Sequence, residues 1–180
     1  MTTEVTLHHG IVLRSLQLEH AASLATAYRR NRDHLAPWDP RRTDAFFTRD
    51  EQAHEIERML VDERTGDAKA FVLTDASRIV GRVNLSSIVR GTFLNANLGY
   101  WIDGGLAGRG LMTAAVDAVI GIARDELQLH RIQAATLLHN DASQTVLQRC
   151  GFVEIGMAPE YLRIAGWCQD HRLFQRIISS

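Results

Sequence analysis

The stretch YWIDGGLAGRGLMTAAV, from Tyr100 to Val116, decides the fold of this chain. An apolar run enters it, a run with helical periodicity leaves it, and glycines stand between them at positions 104, 105, 108 and 110. Glycine in front of a helix lets backbone amides approach a ligand closely, and the N-terminus of a helix attracts anions. Arg109 adds a positive charge. We interpret the turn as an anion site; glycines that only make a tight turn are the alternative.

Two common phosphate motifs fit the glycine turn poorly. Gly105 and Gly110 match the first half of a P-loop, but Leu111 and Met112 stand where Lys and Ser or Thr would hold phosphate and magnesium. The sequence therefore argues against a P-loop nucleotide hydrolase. A dinucleotide fingerprint needs a third glycine where Thr113 stands and an acidic residue about 20 positions later, which is not well placed here. A more general anion site is what remains.

Outward from the turn, the chain reads as a meander followed by one crossover. AKAFVLT, RIVGRVNLSSIV and TFLNANLGYWI are apolar runs separated by short breaks, which predicts three consecutive antiparallel strands. Apolar residues at helical spacing predict a long helix from about Gly108 to Leu127. HRIQAATLLHN then reads as a strand, and only this strand–helix–strand unit has the pattern of a parallel crossover.

The outer segments complete the element order. VTLHHGIVLRSLQ predicts a hairpin or a bent strand with Gly10 near its turn, and LEHAASLATAYRRNR predicts a helix. The aromatic-bearing DHLAPWDPRRTDAFF predicts an irregular loop, and Thr48 with Glu51 predicts a capping box for the helix RDEQAHEIERMLVDER. Asn140 is a candidate N-cap for DASQTVLQRC, Gly151 follows that helix, and a long hairpin across AG ends the chain.

The resulting order, β-α-α-β-β-β-α-β-α-β-β, predicts an α+β fold with a mixed, mostly antiparallel sheet flanked by helices. With 180 residues and no linker or repeat, residues 1–180 read as one domain. The strand that ends at His139 and Asn140 should lie beside GYWI, and we expect this central pair to splay apart at the glycine turn. Splayed strands offer backbone groups to an extended ligand. Coenzyme A, with a pyrophosphate and an amide-bearing arm, is such a ligand.

Composition and short motifs argue against several other classes. A net charge of −1 and a pI of about 6.7 give no reason to expect nucleic-acid or anionic-membrane binding. No apolar run reaches the ~20 residues of a membrane span, and the N-terminus lacks a signal-peptide pattern, so we expect a cytoplasmic protein. Cys150 and Cys168 form no C-x-x-C motif and read as free thiols. His54 and Glu55 begin a zinc-protease motif, but Arg58 replaces its second histidine, and we predict no metal site.

Together, these segments resemble the GCN5-related N-acetyltransferases (GNAT), and within them the ribosomal-protein N-terminal acetyltransferases of the RimJ and RimL type, RimJ members being most similar. The resemblance covers roughly residues 93–176 and 31–50. One departure is Gly105, which stands where the family's pyrophosphate motif often has Gln or Arg. The segments that carry the resemblance are NRDHLAPWDP (31–40), GYWI with G-x-G-L-M-T (99–113), LHRIQA (129–134), HNDAS (139–143), RCGF (149–152) and YLRIAGWCQDHRLF (161–174).

The resemblance implies acetyl-CoA as the acyl-donor cosubstrate, without a metal. Many relatives carry a tyrosine seven residues after the asparagine, as an acid for the leaving thiolate, and Leu147 stands there in this chain. Ser143 matches the serine that the Rim branch has instead and is a candidate catalytic residue; stabilising the first turn of its helix is the alternative. The implied cofactor-binding residues are Trp101, Ile102, Leu106, Ala107, Gly108, Arg109, Gly110, Leu111, Met112, Thr113, Asn140 and Ser143.

The resemblance also implies an acceptor site in the loop opposite the cofactor. The residues it assigns there are Asn31, His34, Leu35 and Trp38. For Trp38, a hydrophobic plug that closes the core is the alternative. A glutamate proposed as the base in one Rim relative aligns with Leu162, and Glu160, two places away, is the candidate base in this chain.

The function that these arguments predict is acetyl transfer from acetyl-CoA to a primary amine, with the N-terminal α-amino group of a ribosomal protein as the first candidate. An α-amine has a pKa of ~7.7–8.0 and a lysine amine ~10.4, so the α-amine needs less help to lose its proton. The runner-up is an acetyltransferase of a small-molecule amine such as an antibiotic or a polyamine. A non-catalytic acyl-CoA-binding module is the third hypothesis. The sequence leaves the oligomeric state open, with a homodimer as one candidate.

Overall fold

The computed structural model describes residues 3–178, which form eight β-strands and five α-helices. The first half of the chain contains β1 (Glu4–Thr6), β2 (Val12–Ser15), α1 (Ala21–Arg30), α2 (Arg32–Leu35), α3 (Arg49–Thr65), β3 (Lys69–Asp75) and β4 (Arg78–Val89). The second half contains β5 (Asn95–Ile102), α4 (Leu111–Asp125), β6 (Arg131–Leu137), α5 (Asp141–Arg149), β7 (Val153–Ile164) and β8 (Trp167–Ile177). Short 3₁₀ turns lie at His8–Gly10, Leu18–His20, Asp44–Phe47 and Gly104–Leu106.

All eight strands belong to one sheet, in the order β1-β2-β3-β4-β5-β6-β8-β7. Neighbours pair antiparallel except β5 and β6, which are parallel because α4 connects them as a crossover. Three residue pairs join β5 to β6, between residues 95–97 and residues 131–133. Both strands continue past these pairs, to Ile102 and Leu137, as they part from each other. The predicted mixed sheet and its splayed central pair are confirmed.

Helices cover both faces of the sheet because strand side chains alternate in direction. In β3, Phe71 and Leu73 belong to a core shared with α4 and α5, whereas Ala70 and Val72 belong to a second core shared with α1 and α3. Burying one large apolar side chain is worth about 1.5–3 kcal/mol, so these two cores fix which face each helix covers. The apolar stripe predicted for the central helix is buried at Met112, Val116, Val119, Ile120 and Ala123.

The central helix is shorter than its periodicity predicts. It begins at Leu111 rather than near Gly108, because Gly108 and Gly110 have φ angles of 77° and 75°, which a right-handed helix cannot include. Gly110 is the residue that caps it. The helix also ends at Asp125, two residues before the predicted end. The glycine turn is therefore an independent structure in front of α4 and not its first turn.

The capping signals in the sequence are confirmed in large part. The Thr48 hydroxyl accepts a hydrogen bond from the Glu51 N–H at 3.3 Å, which is the first half of the predicted capping box. The Asn140 side chain accepts one from the Ser143 N–H at 3.1 Å, and Gly151 has a left-handed φ of 73° after α5. Both cysteines are free thiols. Across residues 3–178, no helix has the length and apolar character to cross a membrane.

Candidate active site

A cavity of about 760 Å³ lies where β5 and β6 part. Its walls are the ends of these strands (98–102 and 134–137), the glycine turn with the start of α4 (106–113) and one side of α5. The loop after α1 and the β7–β8 hairpin close the opposite side. Since ligand sites typically measure ≈300–1,000 Å³, the cavity has room for an extended ligand together with a second small group.

The residues predicted to bind the cofactor lie together around this cavity. All twelve of them line it: Trp101, Ile102, Leu106, Ala107, Gly108, Arg109, Gly110, Leu111, Met112, Thr113, Asn140 and Ser143. They come from β5, the glycine turn, α4 and the start of α5, which are separate in sequence and adjacent in space. These residues are close in space because the parallel crossover places the C-terminal ends of β5 and β6 at the same end of the sheet.

The glycine turn presents a row of unbonded amides to the cavity. None of the six N–H groups from Gly108 to Thr113 donates a hydrogen bond to an acceptor within residues 3–178. A side chain at Gly108 or Gly110 would meet no atom within 4 Å, so the backbone is bare on that side. The dipole of α4 points its positive end at the turn, and Arg109 and Arg149 add full charges at the cavity wall. This donor set fits a diphosphate.

The start of the turn is held by a buried carboxylate. Asp103 follows β5 and accepts hydrogen bonds from Arg30 at 2.7 Å, Arg78 at 3.1 Å and the Gly105 N–H at 3.0 Å. Burial by itself would raise the pKa of Asp103, but these hydrogen bonds outweigh it and lower the pKa to about 2. The carboxylate therefore stays charged and links α1, β4 and the turn.

A pair of hydroxyl groups lies on the cavity wall between β5 and α5. The Tyr100 Oη is 2.8 Å from the Ser143 Oγ and also donates to the Ser143 carbonyl oxygen at 3.1 Å. Burial raises the pKa of Tyr100 despite the opposing effect of the Ser143 hydrogen bond, so the phenol keeps its proton. Leu147, in the position where many relatives carry tyrosine, is fully buried and contributes no polar atom.

Three of the four predicted acceptor residues line the cavity opposite the glycine turn. They are His34, Leu35 and Trp38, on α2 and the loop that follows it. The centre of the Trp38 ring lies 5.4 Å from that of the ring of His139, which follows β6. A side chain on Gly104 would approach the His34 ring to 3.2 Å, so the loop packs directly against the turn.

Asn31 and Glu160 do not line the cavity. Asn31 is buried, with its Nδ2 donating to the Ala27 carbonyl at 2.9 Å and its Oδ1 accepting from the Gly104 N–H at 3.0 Å. Glu160 is exposed in a bulge of β7, where its N–H donates to Asp170 at 2.9 Å. In this bulge three residues, 159–161, stand opposite one residue of β8, and it is Leu162 that reaches the cavity.

A family model for the acetyltransferase (GNAT) domain matches residues 11–153. The chain belongs to the GNAT acetyltransferase family. The [ribosomal protein uS5]-alanine N-acetyltransferase of Escherichia coli is 34% identical to it over 165 residues, which cover 91% of this chain and 85% of the relative. The resemblance to RimJ-type and RimL-type enzymes that the sequence suggests is thereby confirmed.

Two solved structures extend the comparison to three dimensions. The ribosomal-protein-S5-alanine acetyltransferase of Vibrio fischeri has a TM-score of 0.93 and 34% identity, covering 98% of this chain and 97% of that one. RimJ of Mycobacterium smegmatis in complex with CoA-disulfide has a TM-score of 0.91 and 26% identity, covering 98% of this chain and 86% of that one. The predicted GNAT fold is confirmed over nearly the whole chain.

This GNAT acetyltransferase also has cavity residues that the motifs did not single out. Tyr100 stands inside the quoted GYWI, but its contact with Ser143 depends on a strand and a helix 43 positions apart. Asp39 is half-buried at the cavity wall, and burial raises its pKa against the opposing charges of Arg42 and Arg82. The sequence feature that could have pointed to Asp39 is its place next to Trp38 in the predicted irregular loop.

His171 is a further cavity residue that the sequence did not assign to the site. It is 3% exposed, and its Nδ1 lies 2.8 Å from the Gln169 carbonyl oxygen. Its ring is 5.7 Å from the ring of Tyr161. The β6–β8 pairing sets His171 opposite Leu137 and so brings it to the cavity, a contact that depends on two strands far apart in the chain.

Proposed function

We propose that this GNAT acetyltransferase transfers an acetyl group from acetyl-CoA to the N-terminal α-amino group of a protein, with a ribosomal protein as acceptor. The observation that carries the proposal is the opening between β5 and β6, which leads onto the unbonded amides of residues 108–113. The named activities of the Escherichia coli and Vibrio fischeri relatives support the choice of acceptor.

Acetyl-CoA fits the cavity residues of this chain. The amides of the glycine turn and the first turn of α4 would hold the diphosphate, with Arg109 beside it. The parted edges of β5 and β6 would bond to the amides of the pantetheine arm as an added strand does. Bound acetyl-CoA supplies the acetyl thioester, whose sulfur leaves as a thiolate.

The chain's own contribution is to position the amine and to move protons. In the reaction the amine nitrogen bonds to the acetyl carbon, the carbon–sulfur bond breaks, the nitrogen releases one proton and the sulfur takes one up. We assign proton donation to the Ser143 hydroxyl. The Tyr100 hydroxyl, 2.8 Å away and fully protonated at neutral pH, can return a proton to the serine.

The acceptor side favours an amine that loses its proton easily. Stripping the proton from a lysine amine at neutral pH costs ~3.5 kcal/mol more than from an α-amine, because their pKa values differ by ~2.6 units. Glu160 lies outside the cavity, and Asp39 is the sole carboxylate among the described cavity residues. An α-amine suits a site whose basic groups, among the described cavity residues, are this one carboxylate and the imidazoles of His34 and His171.

The proposal is tested by measuring release of free CoA thiol with three panels of acceptors. The panels are peptides with free N-termini, the same peptides with blocked N-termini and one lysine, and small amines that include polyamines and aminoglycosides. We expect turnover with the first panel alone. Turnover with the small amines alone would assign the chain to small-molecule acetylation, and saturable acetyl-CoA binding without turnover would make it a binding module.

Two further expectations from the sequence stand beside this proposal. A cytoplasmic location agrees with a ribosomal protein as acceptor. The homodimer also remains a prediction, and sedimentation of the purified chain over a range of concentrations measures it directly.

A further inference from the structure

A second, smaller cavity of about 240 Å³ adjoins the acceptor side of the active site. Leu35 and Asp39 belong to the walls of both cavities, so the two are neighbours at these residues. We call the smaller one the arginine pocket. Its defining residues are Tyr28, Arg32, Arg41, Arg42, Phe46 and Phe47.

The floor of the arginine pocket is aromatic and rigid. Tyr28 and Phe46 are buried, and their rings lie 4.8 Å apart in an edge-to-face arrangement. The Tyr28 hydroxyl accepts hydrogen bonds from Arg82 at 3.3 Å and from Trp101 at 3.2 Å, which anchors the floor to β4 and β5. The pocket is therefore attached to the strand whose end forms the active site.

The rim of the pocket is positively charged. The Arg42 guanidinium lies 4.3 Å from the centre of the Phe46 ring, and the Arg41 Nε donates to the Ala165 carbonyl at 3.0 Å. Neither arginine forms a salt bridge with a carboxylate within residues 3–178, whereas Arg32 pairs with Asp44 at 2.8 Å. Each of these two guanidinium groups is positioned by one contact. Their remaining N–H groups can still donate to an anion at the mouth of the pocket.

We infer that the arginine pocket binds an acidic side chain of the acceptor, located within the first few residues behind the amine that is acetylated. This inference rests on the proposed function and narrows its substrate class to N-termini that carry Asp or Glu. Guanidinium groups pair with carboxylates in a two-pronged geometry, and the aromatic floor accepts the methylene groups of such a side chain. Asp39, on the wall shared by the two cavities and already under the influence of the Arg42 and Arg82 charges, would face the positive amine.

The charges of the two cavities are arranged to match one substrate. An N-terminal segment with an acidic residue places a positive amine beside Asp39 and a negative carboxylate beside Arg41 and Arg42. An extended chain spans ~3.3–3.6 Å per residue and the two cavities share the wall residues Leu35 and Asp39, so we place the acidic side chain at the second to fourth residue. A free anion could also bind to the two arginines. Only a peptide that carries both groups would place its amine beside Asp39 at the same time.

The test uses peptides that differ only by Glu or Gln at position 2, 3 or 4 behind a common N-terminal residue. We expect kcat/KM to be about tenfold higher for Glu at one of these positions, and the ratio to shrink as salt is added. Arg42→Gln and Arg41→Gln should each reduce the Glu-to-Gln ratio toward one. Arg49→Gln is the matched control, because Arg49 is an exposed arginine two positions after Phe47 that does not line the pocket, and it should keep the ratio.

A reduced Glu-to-Gln ratio could also result from a variant that folds poorly, and a charge-reversal variant tests for this. Arg42→Glu should favour peptides with Lys at the selected position over those with Glu, a gain that an unfolded variant cannot produce. Equal kcat/KM for Glu and Gln peptides at every position would overturn the inference and leave α-amine acetylation standing. Absence of turnover with every peptide would overturn both proposals.

Discussion

At the scale of single residues, the chemistry of this enzyme depends on two groups. A local sequence motif reveals one of them, and the three-dimensional structure is needed to find the other. Ser143 follows Asn140 at a spacing that the sequence already marks, and the hydrogen bond between them confirms that local geometry. Its partner Tyr100 comes from another element, so the 2.8 Å contact between their hydroxyl groups is a product of the fold. The proton path that we propose combines one locally readable residue with one that only the tertiary structure supplies.

The hydroxyl pair leads to a prediction about turnover. We expect Ser143→Ala to lower kcat by about a hundredfold and Tyr100→Phe by about tenfold, since positioned proton donors contribute ~10²–10⁴. The double variant should be no slower than Ser143→Ala, because the tyrosine acts through the serine. Steady-state kinetics measures these effects, with calorimetry of CoA binding as the control for an intact site. A Ser143→Ala enzyme with unchanged kcat would remove the serine from the mechanism.

Gly110 provides a second prediction at this scale. Its φ of 75° is unfavourable for any side chain, and Gly66, at the C-cap of α3, has a φ of 85° with equally open surroundings. Gly110→Val and Gly66→Val should therefore lose stability by similar amounts, of order 1–2 kcal/mol. We expect only Gly110→Val to lose CoA binding. Thermal melts and titration calorimetry of both variants check this, and saturable CoA binding by Gly110→Val would contradict the amide cradle.

At the scale of elements, the sequence predicts features that depend on short-range interactions and misses those that depend on long-range ones. The three-stranded meander and the caps of α3 and α5 depend on neighbours a few positions apart, and they were predicted correctly. The bulge in β7 was not predicted, since it depends on how β7 and β8 align over many residues. That bulge keeps Glu160 outside the cavity and directs Leu162 into it. A residue count along the chain cannot reveal such a shift.

The Asp103 clamp predicts a pH dependence of stability. Its pKa of about 2 in the folded protein lies below the ordinary value for aspartate, so the stability that it contributes is present above about pH 4 and is lost as the pH falls through about 2. We expect Asp103→Asn to cost about 2 kcal/mol at pH 6 and roughly half of that near pH 3. Urea denaturation across this range measures the difference. Asp125→Asn is the control, because that carboxylate pairs with Arg124 on the open surface, and its effect should be small.

At the scale of the whole molecule, the parted strands divide the sheet into two halves. Three residue pairs between β5 and β6 join these halves directly, and α4 and α5 pack across one face. A ligand that bonds to both strand edges would complete the sheet along the opening. Binding and overall stability should therefore be coupled in this protein.

This coupling predicts a thermal shift. CoA at about a hundred times its Kd should stabilise the fold by about 2.7 kcal/mol, which corresponds to a Tm increase of about 5–10 °C for a chain of this size. Differential scanning calorimetry with and without CoA measures the shift. The Gly110→Val variant should show none, and an equal shift in that variant would place the ligand elsewhere.

The overall arrangement was predictable because strong apolar periodicities and one glycine-rich turn allow few ways to fold. The parallel crossover and the opening beside it are present as predicted, and so is the order of elements except for the short helix α2 (Arg32–Leu35), which begins the segment predicted to be an irregular loop. What could not be predicted is the neighbourhood of the acceptor loop. The Asp39 N–H donates to the Leu35 carbonyl at 3.1 Å, which is a local contact, but the second cavity that both residues line also needs Tyr28 from α1 and Phe46 from the segment before α3. Such packing depends on side chains that share no local pattern.

The carboxamide of Asn31 has a consequence for redesign of this enzyme. Its two ends are occupied by the Ala27 carbonyl of α1 and the N–H of Gly104 at the start of the glycine turn, which are far apart in the chain. Because Asn31 also stands between α1 and the acceptor loop, we expect a replacement there to shift both that loop and the start of the glycine turn. Efforts to change substrate preference should therefore leave position 31 alone and work on the side chains around Arg42, where alteration is local.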